Sequence, residues 1–122
     1  PVNAAILKNL IAESDALIIA VNEHNGGPSA FFKNTIDWLS RVNRNFLETK
    51  KILLISTSPG KGGAKRSLEY AKNIFGRFGG DVVESFSLPS FKDNFQDGKL
   101  TNEVFDMGIE DVLTTFAHQI DS

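Results

Sequence analysis

Two stretches of this sequence carry the polar and glycine residues with which a chain can grip a small ligand. The first reads Asn22, Glu23, His24, Asn25, Gly26, Gly27, and the second Ser56, Thr57, Ser58, Pro59, Gly60, Lys61, Gly62, Gly63. Glycines let backbone approach a flat ligand closely, and N–H groups at a helix N-terminus offer donors and positive potential to electron-rich oxygens or nitrogens. Glycines also punctuate ordinary loops between strands and helices, so neither stretch identifies a ligand by itself. Other chemistries have less support. Cysteine is absent, which removes disulfides, thiolate metal sites and cysteine nucleophiles together. The two histidines, His24 and His118, lack metal-ligand spacing, and neither a Ser/His/Asp set nor a motif-placed carboxylate pair emerges. No catalytic side chain and no metal site is assigned, so any redox chemistry has to come from a bound cofactor.

The elements that would position these stretches follow from the apolar pattern. Val2, Ile6 and Leu10 recur every four residues as the end of an amphipathic helix, and Ala16 to Val21 is a continuous apolar run, the pattern of a parallel strand covered on both faces. Ser29 caps a helix bearing Phe32, Ile36, Leu39 and Val42. Lys51 to Thr57 repeats the strand signal, and Leu68, Ala71, Phe75 and Phe78 mark a further helix closed by Gly79 and Gly80. Val82 to Leu88 is a third strand with partial alternation, Pro89 to Gly98 reads as a polar irregular loop, and a stripe from Phe105 through Ile109, Val112, Leu113 and Phe116 to Ile120 is a closing helix. Alternating strands and helices imply an α/β doubly wound parallel sheet joined by right-handed crossovers. Ligands of such sheets bind outside the carboxyl ends of the strands, where both polar stretches begin.

With 122 residues, 41% hydrophobic and 23% charged, the chain reads as one domain, residues 1–122. A net charge of −2 gives no concentrated positive field for nucleic acid or an anionic membrane, and the longest apolar run is too short to cross a bilayer. A cytoplasmic protein is expected. Trp38, Phe31 and Phe32 sit at helical spacing beside Ile36 and Leu39 and are read as packing residues, in part across a dimer interface. Asp37 and Arg41, four apart on one helix, are read as a surface ion pair.

Ser14, Asp15 and Ala16 with LIIAV, followed by NEHNGGPSAFFKNTIDWLSR through Arg41, resemble the signature of the NADPH-dependent FMN reductase family, which typically reads PEYNG and then LKNAIDWLSR. STSPGKGG and FKDNFQDGKLTNE continue the resemblance along essentially the whole chain. It implies a flavodoxin-like three-layer αβα fold and FMN as cofactor, with NAD(P)H as co-substrate and a quinone, azo, metal-oxyanion or flavin acceptor. It further implies a homo-oligomer. Carried over position by position, the cofactor-binding residues are Asn22, Glu23, His24, Asn25 and Gly26 from the first stretch and Ser56, Thr57, Ser58, Gly60, Gly62 and Gly63 from the second. Asn22 stands where the family has proline and His24 where it has tyrosine, and an imidazole there can titrate near neutral pH beside the ring.

Family members begin with a strand and a GSxRxxS loop that holds the FMN phosphate, and this sequence, which starts at Pro1, contains no such segment. The resemblance therefore implies a fold truncated at its N-terminus, carrying the last three strands of a 2-1-3-4-5 sheet, with Ala16 to Val21 at an edge. A non-catalytic flavodoxin-like interaction module, using that edge to bind a partner, or an inactive fragment is the alternative reading. A phosphoacceptor receiver would need aspartates clustered at strand ends, and none follows Val21 or Thr57.

Overall fold

The computed structural model describes residues 1–121. Three strands, β1 (Ala16–Val21), β2 (Lys51–Thr57) and β3 (Asp81–Leu88), form a parallel sheet in the order β1-β2-β3. Around it run helices α1 (Val2–Glu13), α2 (Ala30–Val42), α3 (Lys65–Arg77) and α5 (Glu103–Asp121). The sequence expectation of alternating strands and helices holds, and β1 and β2 start and end where their apolar runs do.

The sheet register sorts the side chains. Ile52 and Leu54 face α2 and α3, and with Leu39, Leu68, Ala71 and Phe75 they make the main core. Leu53, one residue out of phase, faces the other way, as do Ile55, Phe86 and Leu88, toward the side that α5 covers. Helices thus lie on both faces, giving three layers. Ile52 pairs with Val82 but Leu53 pairs with Glu84, so Val83 is an extra residue, and this bulge explains the partial alternation of β3.

Helix ends follow their local chemistry. The Ser29 hydroxyl accepts from Phe32 N–H at 3.1 Å and starts α2. At the end of α3, Gly80 N–H donates to Phe75 O and Gly79 N–H to Gly76 O, the paired bonds of a Schellman motif. The Lys50 ammonium donates to the carbonyls of Ala12 and Ser14 at the C-terminus of α1, where a cation offsets the exposed carbonyl dipoles.

Three expectations change. Val2, Ile6 and Leu10 do lie on one face of α1, but that face is exposed, and it is Leu7 and Ile11 that turn toward an apolar cavity beside β1 and α2. Asp37 does not pair with Arg41: its carboxylate accepts from Lys33 Nζ at 2.8 Å, one turn earlier, while the Arg41 guanidinium lies 6.0 Å from the Trp38 ring centroid. Segment 89–98 is not irregular. It contains the one-turn helix α4 (Phe91–Asn94) and strand β4 (Phe95–Gln96), which pairs antiparallel with β5 (Lys99–Leu100) around the Asp97–Gly98 turn.

Among the described residues β1 is an edge strand, and Ile18, on its α5-side face, is 57% exposed. The apolar run that reads as a doubly covered strand is therefore open on one side.

Candidate functional site

At the carboxyl ends of the three strands lies a cleft of about 590 Å³. Its polar wall comes from Asn22, Ser29, Ser56 and Thr57, and its apolar walls come largely from Phe31, Phe86, Phe91 and Phe95. This position is where strand and helix dipoles leave polar backbone at the rim of an open parallel sheet. A mainly apolar cleft with a few placed polar groups, in this size range, suits a flat organic ligand.

The first loop is shaped by a two-residue turn. Asn25 and Gly26 have φ of 52° and 83°, and His24 and Gly27 exchange N–H···O bonds of 2.7 and 3.2 Å, which is a type I′ turn. The Asn-Gly pair is itself the sequence signal for such a turn. The Asn22 carboxamide oxygen accepts from Ser29 N–H at 3.2 Å, closing the loop over the start of α2. The residue that departs from the proline of the family pattern thus holds the loop by a side-chain bond.

The second loop is pinned from beneath. The Ser56 and Ser87 hydroxyls both donate to Gly63 O, at 2.7 and 2.8 Å, and the Thr57 hydroxyl donates to Leu88 O at 2.7 Å. Gly63 has φ of 60°, and a Cβ there would meet the Ser87 oxygen at 2.3 Å, so only glycine fits. Farther out, Ser90 N–H donates to Gly60 O and Phe91 N–H to Ser58 O, at 2.8 and 3.0 Å. These bonds fasten the glycine loop to the segment carrying Phe91 and Phe95, whose rings stack with centroids 4.9 Å apart.

Of the eleven positions singled out for cofactor binding, Asn22, Ser56 and Thr57 line the cleft. His24, Asn25 and Gly26 form the turn at its border, and Ser58, Gly60, Gly62 and Gly63 belong to the pinned second loop. Glu23 turns its carboxylate to α3, accepting from Ser67 N–H at 3.3 Å. Sequence reasoning missed the cleft residues Phe86, Phe91, Phe95, Leu100 and Ile109. The Phe91–Phe95 spacing of four was the available signal, obscured by the polar residues between them. No group of three or more potential metal ligands occurs among the described residues.

The residues present fit a flavin ring better than a phosphate. The cleft offers flat aromatic walls and hydroxyl and carboxamide groups for the ring's heteroatoms, whereas no Lys or Arg is among its lining residues.

Residues 1–93 match the model of the NADPH-dependent FMN reductase family. A quinone reductase of Escherichia coli is 30% identical over 117 residues, covering 93% of this chain and 61% of that protein, and the Shigella flexneri quinone reductase matches equally. Among solved structures, the flavoenzyme NAD(P)H:(acceptor) oxidoreductase FerB from Paracoccus denitrificans superposes with a TM-score of 0.80 at 27% identity, over 99% of this chain and 69% of that one. The chain thus spans about three-fifths of the length of the curated quinone reductases it matches. The fold is flavodoxin-like, and the chain belongs to the NADPH-dependent FMN reductase family.

Proposed function

We propose that this chain forms the ring-binding part of an FMN-dependent NAD(P)H oxidoreductase that passes electrons to a small-molecule acceptor. The observation that carries the reading is the cleft at the strand ends, lined by aromatic rings together with Asn22, Ser56 and Thr57. Bound FMN would supply the hydride and electron chemistry that links the nicotinamide to the acceptor. The chain's own residues hold and shield. The Ser56 and Thr57 hydroxyl protons are committed to Gly63 O and Leu88 O and hold the loop in shape, so donors to the ring's polar edge would come from the Asn22 carboxamide N–H and unpaired backbone N–H groups of the two loops, which would oppose negative charge developing on reduction. The phenylalanines exclude water and present a flat apolar wall to a second ligand. A quinone suits that wall best among the acceptor classes, a choice supported by the similar quinone reductases.

A homo-oligomer is part of the reading. Phe31, 82% exposed, and Trp38, 40% exposed, border a groove between α1 and α2 whose apolar character suits a second subunit. A cytoplasmic location belongs to the same reading and is compatible with a chain free of cysteine. No described helix is long and apolar enough to cross a membrane.

Titrating the full-length gene product into FMN and following quenching of flavin fluorescence tests the reading. Saturable binding lost on substituting Thr57→Val and Asn22→Ala together supports it; no binding favours the interaction module.

A further inference from the structure

The N-terminus of α3 is built without the groups that usually finish a helix. Its cap residue, Ala64, is left-handed and has no side-chain bond to offer, its first turn has no acid, and the helix opens on two cations, Lys65 and Arg66. Lys65 N–H finds the Gly62 carbonyl at 3.1 Å, but the Arg66 and Ser67 N–H groups and two positive charges meet there with no side-chain cap and no acid of that turn to offset them. The missing group comes from 44 residues earlier: the Glu23 carboxylate accepts from Ser67 N–H at 3.3 Å. Ser67 is fully buried, so no bulk water stands ready to replace that carboxylate.

A second contact joins the same two elements. A Cβ built on Gly26 would lie 3.3 Å from Arg66 Nη1, so the Arg66 side chain rests against the type I′ turn that follows Glu23. The start of α3 is in turn continuous with Gly63, whose carbonyl is held by Ser56 and Ser87. The chain of contact runs from the turn at 24–27, through Glu23, to the helix start, and on to the pinned glycine loop.

We infer that Glu23 is a positioning residue that fixes the spacing between the two loops at the mouth of the cleft by capping α3 from a distance. The ligand side of this inference rests on the flavin reading; the clamp itself does not. Glu23 acts through the helix start and the turn, not through its carboxylate touching the ligand. Its carboxylate supplies charge and an acceptor, and glutamine keeps the acceptor without the charge.

The test uses the full-length gene product and its Glu23→Ala, Glu23→Gln and Phe78→Leu variants, the last a core truncation at the far end of α3. Amide exchange is measured at Ser67 and at residues 25–27, and FMN affinity by fluorescence quenching. In Glu23→Ala, exchange at both places rises together by about tenfold and FMN binding weakens by about tenfold, the size of one lost charge-assisted bond. Glu23→Gln recovers most of both changes, and Phe78→Leu leaves FMN affinity unchanged although it lowers the unfolding midpoint. Unchanged exchange at residues 25–27 in Glu23→Ala overturns the inference, and so does FMN affinity as weak in Phe78→Leu as in Glu23→Ala. If the parent protein binds no FMN, the flavin reading fails, and the exchange data alone decide the clamp: joint acceleration supports it and independent behaviour overturns it.

Discussion

The Ser87 hydroxyl donates to the Gly63 carbonyl at 2.8 Å, and the space a side chain at Gly63 would need is the space that hydroxyl fills. Ser87 therefore shares with Ser56 the hold on the Gly63 carbonyl, and its oxygen occupies the place of any Cβ at that position. Gly63→Ala must adopt a left-handed φ and displace Ser87, and the backbone of Leu88 and Pro89 lies just behind at 3.3 and 3.2 Å. A loss of about 2 to 4 kcal/mol is expected in urea unfolding. Adding Ser87→Ala removes the clashing oxygen, so the double variant should lose less than the sum of the two single changes.

Phe75 is fully buried between the sheet and α2, with its ring 6.1 Å from that of Phe32. Phe75→Ala should cost about 3 to 5 kcal/mol, because the transfer energy is lost and the cavity beneath the rigid strands cannot close. Thermal unfolding measures this directly, and a loss under about 1 kcal/mol would contradict the assigned core.

Asp37 beside Lys33 raises the pKa of the Lys33 ammonium above its usual 10.5, the side-chain hydrogen bond being the largest cause. Because the folded value is raised, the contribution is fully present below the unfolded value and fades as pH rises through the folded one. The pair is exposed, so Asp37→Asn should cost only about 0.3 kcal/mol at neutral pH, and the difference from the parent should vanish above the folded pKa. Arg41→Lys should leave this titration unchanged, since Arg41 lies by Trp38 instead.

The stacked pair Phe91 and Phe95 forms one wall of the cleft. Phe95→Ala should raise KM for a quinone acceptor by about tenfold while leaving KM for NADPH within about twofold, the burial of one ring face being worth about 1 to 2 kcal/mol. Steady-state kinetics with each substrate varied in turn separates the two.

Much of this architecture is legible in the sequence because buried parallel strands must be apolar on both faces. Lys51–Thr57 carries that pattern and is buried, Ala16–Val21 carries it although its Ile18 face is open, and Leu68, Ala71 and Phe75 mark the buried stripe of α3 at helical spacing. The Asn25–Gly26 turn is likewise written in two adjacent residues. What is hidden depends on contacts between distant segments. Nothing local shows that Glu23 serves a helix 44 residues onward, that Ser87 blocks Gly63, or that Asp37 turns to Lys33 when Arg41 lies equally near along the helix. Periodicity alone also cannot orient α1, whose apolar residues lie all round, so Val2, Ile6 and Leu10 lie on one face without being the buried one. The hairpin at 95–100 is too short and polar for a strand signal, yet it brings Phe95 and Leu100 to the cleft.

The most direct test of the flavin reading is the visible spectrum of the purified full-length gene product before and after NADPH is added without oxygen. The expected result is flavin absorbance bands that bleach on NADPH and return when a quinone is supplied; a colourless protein that cannot be reconstituted with FMN, or a bound flavin that NADPH leaves unchanged, would contradict it.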